Sequence, residues 1–162
     1  MPDEKARLLE SLAHVVASQP DRTIAMQSIA DEIRASGNYR WVGLYDVNRV
    51  AGLVINVVFS GPGAPDYPTF PIGKGLTNAA IASGRSVNVG DVATDPRYLS
   101  AFGSTRSEII VPVFDAHGRI VVGTLDVESE LHNAFSPEVE ELLTACERTI
   151  RVLWSPEGRF GS

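Results

Sequence analysis

The stretch TLDVES, residues 124–129, carries two acidic side chains two positions apart, Asp126 and Glu128. Its composition is typical of a β-strand, in which alternate side chains point to the same face of the sheet. The two carboxylates therefore share one face, and Leu125 and Val127 occupy the other. The simplest interpretation of such a pair is a solvated outer face of the sheet.

A third acid, Glu108, is expected close to this pair. The segments SEIIVPVF and GRIVVGTLDV flank DAHG, whose Gly118 suits a tight turn, so residues 107–128 are predicted to form an antiparallel hairpin. In that hairpin Glu108, near the start of the first strand, lies beside the end of the second. Like charges opposed across a sheet repel each other. A cluster of three acids therefore needs solvent, a cation or an amine between them.

An aromatic pair precedes these acids in the chain. In RWVGLYDV, Trp41 and Tyr45 are four positions apart on a predicted strand and share a face with Gly43, which leaves space between the rings. Two aromatic side chains that flank a glycine can form the wall of an apolar pocket. Packing in the protein core produces the same pattern, so the pair alone does not decide between the two.

The residues usually found in catalytic or metal sites are scarce. Cys146 is the one cysteine of the 162 residues, and it lies in the apolar stripe of a predicted helix, where burial would raise its pKa and leave it inert. The three histidines, His14, His117 and His132, have no metal-ligand spacing. We therefore predict no catalytic residue, no metal and no cofactor.

The segment GKGLT has a superficial likeness to a phosphate loop but lacks the required spacing of glycine and lysine. Gly73 and Gly75 are better explained as shaping the turn before a short helix. The alternative is that the backbone amides at the start of that helix, with Thr77 and Asn78, meet an anionic group of a ligand.

The elements that must position these residues can be read from periodicity and from turn and capping residues. Two helices come first, the second capped by Asp21 or Thr23 and stopped by Gly37 in a left-handed conformation. Pro112 indicates that a neighbour of its strand is an edge or a bulge. The remaining predicted elements are a hairpin over 40–60, a long loop with an edge strand near Phe70, a helix over 76–83, a strand over 86–89, a helical turn after Pro96, the hairpin over 107–128, and a helix from Ser136 to about Trp154.

Composition limits the classes of function. The chain is 44% hydrophobic and 21% charged, which is typical of one globular domain. Its net charge is −6 with scattered basic residues, so nucleic acid and anionic membrane surfaces are not expected partners. No apolar run has the ~20 residues that cross a bilayer, and MPDEKARLLE lacks the apolar core of a signal peptide. A cytoplasmic location is expected.

The motifs WVGLY, PIGKGL, RSEIIVPVFDAHGRIVVGTLDVES and FSPEVEELL resemble those of GAF domains, and especially those of the free methionine-(R)-sulfoxide reductases. The resemblance implies an α+β fold with a six-stranded, mostly antiparallel sheet. The N- and C-terminal helices would pack on one face and a ligand pocket would lie on the other. The chain then divides into an N-terminal helix over residues 1–19, a GAF domain over 20–154 and a frayed tail over 155–162.

The same resemblance implies a binding site for a free amino acid, with the acids facing its ammonium group. Glu128 stands where the reductases usually have aspartate, which keeps the charge and shortens the pocket. The residues predicted to contact the ligand are Trp41, Tyr45, Tyr98, Glu108, Asp126 and Glu128.

The catalytic residues of the reductases have no counterpart. Where that family places cysteines, this chain has Thr77, a residue near Ser86, and Ala101. Reduction of a sulfoxide by this route needs one thiolate to attack sulfur and a second thiol to resolve the product. We therefore predict a non-catalytic sensor or binding module for a small cytoplasmic metabolite, an amino acid or related amine.

Two alternatives stay open: a reductase-like enzyme with altered chemistry, and a dimeric interaction protein with a vestigial pocket. The expected partners are a small-molecule ligand and a second copy of the chain in a homodimer. With no output domain in the sequence, a signal would have to pass through a partner protein.

Overall fold

The computed structural model of the chain describes residues 3–98 and 103–155. Within these ranges the helices are α1 (Glu4–Ser18), α2 (Arg22–Gly37), α3 (Gly75–Ser83) and α4 (Pro137–Ile150). The strands are β1 (Trp41–Asn48), β2 (Leu53–Ser60), β3 (Thr69–Pro71), β4 (Val87–Val89), β5 (Ser107–Phe114) and β6 (Val121–Ser129). Two 3-10 turns cover Val92–Thr94 and Arg151–Trp154. None of the described helices is both long and apolar enough to span a bilayer.

The strands form one six-stranded antiparallel sheet in the order β3-β2-β1-β6-β5-β4. Both predicted hairpins, β1-β2 and β5-β6, are confirmed, and β1 joins them by pairing with β6. Strand β4 pairs only with residues 108–110 of β5, so Pro112 faces no strand on that side, and a register shift follows it between Val113 and Phe114. The missing N–H of Pro112 therefore costs no ladder hydrogen bond on that side.

The helices on one face build the main core. Helices α2 and α4 pack directly on the sheet, and α1 packs mainly on α2 and α4. Side-chain caps start all three, because Asp3, Asp21 and Ser136 each accept a hydrogen bond from a backbone N–H of the first helical turn. The apolar stripes of these helices enclose β-strand residues of the helix-side face, among them Val42, Leu44, Val111, Leu125 and Val127.

The opposite face is covered by α3, which packs on β4 and β5, and by loops. Helix α3 ends at Ser83, and the next residue, Gly84, caps it with a left-handed φ of 66°. One predicted detail is wrong. Gly37 is the last residue of α2 and Asn38, with φ 52°, makes the left-handed stop. A 3-10 turn capped by Asp91 lies before Pro96, at Val92–Thr94. The helical turn predicted after Pro96 falls largely on residues 99–102, which lie outside the described residues. Of the predicted tail, only Ser155 is described.

Candidate functional site

Three acids meet on the sheet face that carries α3. Glu108 on β5 is directly opposite Glu128 on β6, and Asp126 is the next residue of β6 on that face. We call these residues the acid triad. Their exposed fractions are only 7%, 6% and 2% for Glu108, Asp126 and Glu128. The predicted proximity is confirmed, and the interpretation of Asp126 and Glu128 as a solvated face is wrong, because α3 and loops cover them.

Hydrogen bonding within the triad is uneven. Thr105 donates its hydroxyl to Glu128 Oε1 at 2.7 Å, and the hydroxyl of Tyr98 lies 3.5 Å from the same oxygen. Asp126 Oδ1 and the neighbouring Thr124 Oγ1 are buried and have no hydrogen-bond partner among the described residues. A buried polar atom without a partner costs free energy, so Asp126 is the triad member that most needs a donor.

Burial raises the pKa values of all three carboxyl groups of the triad. It raises the pKa of Glu108 well above the usual range, and the charges of Glu128 and Asp126 raise it further. Burial likewise raises the pKa of Asp126 to about 8; the nearby Thr124 hydroxyl opposes this rise, and the charge of Glu128 adds a smaller increase. The pKa of Glu128 is also raised by burial, although the hydrogen bond from Thr105 opposes this. Near neutral pH the triad therefore retains protons.

A small cavity opens onto the triad. Its volume accessible to the centre of a water molecule is about 40 Å³. We call it the acid cavity. Strand residues and the triad form its floor, aromatic rings form much of its wall, and the start of α3 closes one side. Its lining residues are Tyr45, Pro65, Tyr67, Phe70, Leu76, Thr77, Glu108, Asp126 and Glu128.

Four of the six predicted ligand residues line this cavity: Tyr45 and the acid triad. Tyr98 lies next to it, near Glu128. Trp41 is fully buried behind Tyr45, with 6.3 Å between the ring centroids, and is not among the lining residues. Sequence reasoning did not find Pro65, Tyr67 or Phe70, although the loop GPGAPDYPTFPIGKG that contains them was expected to be long.

Gly43 lies between Trp41 and Tyr45 on the strand, but the space predicted there between the rings is filled, because the Trp41 ring folds over the glycine. A Cβ at position 43 would overlap the far edge of that ring and approach Tyr45 Cε1 to 3.1 Å. We expect Gly43→Ala to lower the free energy of unfolding by about 2 kcal/mol, because an overpacked buried site forces neighbours to shift. Urea unfolding measures this, with Gly103→Ala, in open space, as control. An unchanged midpoint for Gly43→Ala would contradict this packing.

The single thiol is remote from the cavity. Cys146 lies in the helix-side core, across the sheet from the triad, and burial raises its pKa to about 12. Of the positions where the reductase family was expected to have cysteines, Thr77 lines the cavity and Ser86 is half-buried just before β4. Ala101 lies outside the described residues. The described lining therefore offers carboxylates, hydroxyls and aromatic rings, and no sulfur nucleophile.

The acid triad does not have the arrangement of a metal site. Among residues 3–98 and 103–155 there is no group of three or more His, Cys, Asp or Glu placed to hold a metal ion. An organic cation with N–H donors suits the triad better, because each N–H can be directed at a separate carboxylate oxygen.

The chain is similar in sequence and in fold to known proteins. A family model described as the GAF domain matches residues 19–152. The chain is 30% identical to Protein YtsP of Bacillus subtilis over 110 residues, which are 68% of this chain and 65% of that protein.

Two solved structures are similar over nearly the whole chain. The free methionine-R-sulfoxide reductase of Neisseria meningitidis, in complex with its substrate, is 29% identical, with 95% of this chain and 92% of that chain covered and a TM-score of 0.84. The type II free methionine-R-sulfoxide reductase of Thermoplasma acidophilum is 30% identical, with 93% and 98% covered and a TM-score of 0.75.

Proposed function

The chain belongs to the GAF domain family, and from this premise we propose that it binds a free amino acid or related amine in the acid cavity without transforming it. The observation that carries the proposal is the buried, unpartnered Asp126 Oδ1 beside the two other triad carboxyls. An ammonium group has three N–H donors and a positive charge. It would supply the missing hydrogen bond and offset the repulsion within the triad.

The start of α3 supports an amino acid over a simple amine. Lys74 is at the N-cap position of α3 and makes no side-chain capping hydrogen bond. Leu76 and Thr77, in the first turn of the helix, line the acid cavity. Backbone N–H groups at an uncapped helix start favour an anion. A zwitterion can therefore direct its ammonium group to the triad and its carboxylate to α3, while Tyr45 and Phe70 contact its apolar part.

A second candidate is free methionine sulfoxide reductase activity, favoured by the likeness to the two solved reductases. That chemistry needs a thiolate beside the bound sulfoxide. Thr77 cannot provide one, and Cys146 is buried on the other side of the sheet. The absence of sulfur from the described lining supports binding without turnover. In that case ligand occupancy would be read out by a second copy of the chain or by a partner protein in the cytoplasm.

The test is a calorimetric and thermal-shift screen with matched compounds. We expect free amino acids, methionine included, to bind and to raise the melting temperature. The α-hydroxy acid with the same side chain, which lacks the ammonium group, should bind at least about 30-fold more weakly, since a buried charge pair is lost. Equal binding of the hydroxy acid, or no binding by any amine, would contradict the proposal.

A turnover assay separates the two candidates. The protein is incubated with free methionine sulfoxide and dithiothreitol, and the remaining sulfoxide is measured. We expect none to be consumed, and thiol-dependent consumption would overturn the non-catalytic part of the proposal.

A further inference from the structure

The wall of the acid cavity has one segment that is not part of the sheet or of a helix. Residues 61–68, which we call the roof segment, connect β2 to β3 and contribute Pro65 and Tyr67 to the cavity. The remaining walls are fixed by strand pairing or by α3. The centres of water molecules can occupy only about 40 Å³ of the acid cavity, so it is narrow. A ligand with an extended side chain would therefore lie against Pro65 and Tyr67 of the roof segment, the wall that neither strand pairing nor α3 fixes.

The roof segment is held at both ends. The indole Nε1–H of Trp41 donates to the carbonyl of Gly63 at 3.1 Å, and the Asn56 N–H donates to the carbonyl of Pro68 at 2.7 Å. The backbone also runs against the Trp41 ring, since a Cβ on Gly61 would lie 2.6 Å from Trp41 Cδ1. Between these two attachments lies Tyr67, whose side chain lines the cavity and is 51% exposed.

The side chain of Trp41 has little room to move. It is fully buried, and its ring stacks on Phe59 at 6.1 Å between centroids with 10° between the planes. Its hydrogen-bond donor is directed at the roof segment. Its geometry is therefore that of an anchor behind the cavity wall.

We propose that the roof segment sets the largest ligand that the acid cavity admits, and that Trp41 is a positioning residue that holds the roof through its indole N–H. The size limit rests on the proposed function. The anchoring of the roof by Trp41 does not, because it can be measured without a ligand.

The size limit is tested with Tyr67→Ala, Trp41→Phe and the control Asp66→Ala, which changes an exposed roof residue outside the cavity lining. Calorimetry compares alanine with methionine. We expect the affinity ratio of methionine to alanine to rise roughly tenfold in Tyr67→Ala and about two- to tenfold in Trp41→Phe, which loses one hydrogen bond. Asp66→Ala should keep the wild-type ratio. An unchanged ratio in Tyr67→Ala would overturn the size limit.

The anchor is tested by NMR on the ligand-free protein. In the wild type the Trp41 indole proton should exchange slowly with solvent, and rapid exchange would overturn the anchor even if Trp41→Phe failed to fold. In Trp41→Phe the {¹H}-¹⁵N heteronuclear NOE of the backbone amides in the roof segment should fall, and in Asp66→Ala it should change little. If Trp41 has a purely structural role, Trp41→Phe would lower the melting temperature and leave these NOE values unchanged.

If no amine binds either the wild type or Tyr67→Ala, the proposed function and the size limit both fail. The NMR result still decides whether Trp41 anchors the roof segment.

Discussion

Asp126→Asn is expected to weaken binding of an ammonium ligand by at least about 30-fold and, in the same protein, to stabilise the ligand-free fold. The loss of affinity follows because the variant removes one charged partner of a buried ammonium group. The gain in stability follows because the wild-type carboxyl is buried, lacks a hydrogen-bond partner for Oδ1 among the described residues, and lies beside two other acids. Sites built for binding commonly carry such a cost in stability.

The size of the stability gain depends on pH in a defined direction. The pKa of Asp126 is raised from 3.8 to about 8 on folding. Between these values the folded state holds a proton that the unfolded state has lost, so stability falls as pH rises through this window and levels off above it. The variant lacks this titration, and we expect its free energy of unfolding to exceed that of wild type by roughly 2–4 kcal/mol near pH 7.5.

Urea unfolding at several pH values between 5 and 8.5 measures both effects. Asp31→Asn, at an exposed position on α2, serves as the charge-matched control and should leave the pH dependence unchanged. A variant that is less stable than wild type at pH 7.5 would show that the carboxyl group of Asp126 stabilises the protein without ligand, which is the opposite of the expected result.

The affinity for an ammonium ligand is expected to fall as pH is lowered below about 8, by up to tenfold per pH unit for each proton that binding displaces. Without a bound cation the triad holds protons, because burial raises the pKa of Glu108 and of Asp126. A bound ammonium group favours the ionised carboxylates and therefore lowers these pKa values. Ligand binding then releases protons, and a high proton concentration opposes it. The part of this dependence that comes from Asp126 should level off above pH 8, while the ligand amine stays protonated.

Other groups near the triad do not change this direction. Burial raises the pKa of Tyr45, which stays a neutral phenol over the range, and the charge of Arg40 lowers the pKa of Glu128 without cancelling the effect of burial. Calorimetric titration in two buffers of different ionisation enthalpy counts the released protons directly. We expect at least about one proton to be released for each ligand bound at pH 7 in the wild type, and fewer in Asp126→Asn. Uptake of protons, or an affinity that does not vary between pH 6 and 8, would contradict the proposed role of the triad.

The sequence predicts the hairpins and the proximity of the three acids well, because both depend on local signals. Alternating β-branched residues specify the strands β5 and β6, and the turn at DAHG sets a register in which Glu108 is opposite Glu128. The α4 start at Ser136 and Pro137 is likewise a local capping signal. The comparison with GAF domains then agrees with the fold that these elements imply.

The burial of the triad could not be predicted in this way. Strand period indicates which side chains share a face but not what covers that face. The cover comes from α3 and the roof segment, which reach the triad through packing between distant parts of the chain. For the same reason the sequence predicts equal roles for Trp41 and Tyr45, whereas in the structure Tyr45 lies in the cavity wall and the Trp41 ring lies behind it.

We propose that the acid triad receives the positive end of a small ligand. A crystal structure of the protein grown with the tightest-binding amine from the screen would show this contact. We expect the ligand nitrogen within hydrogen-bond distance of Asp126 Oδ1 and of at least one of Glu108 and Glu128, with no covalent change to the ligand. A ligand whose nitrogen points away from Asp126, or that is bound outside the acid cavity, would contradict it.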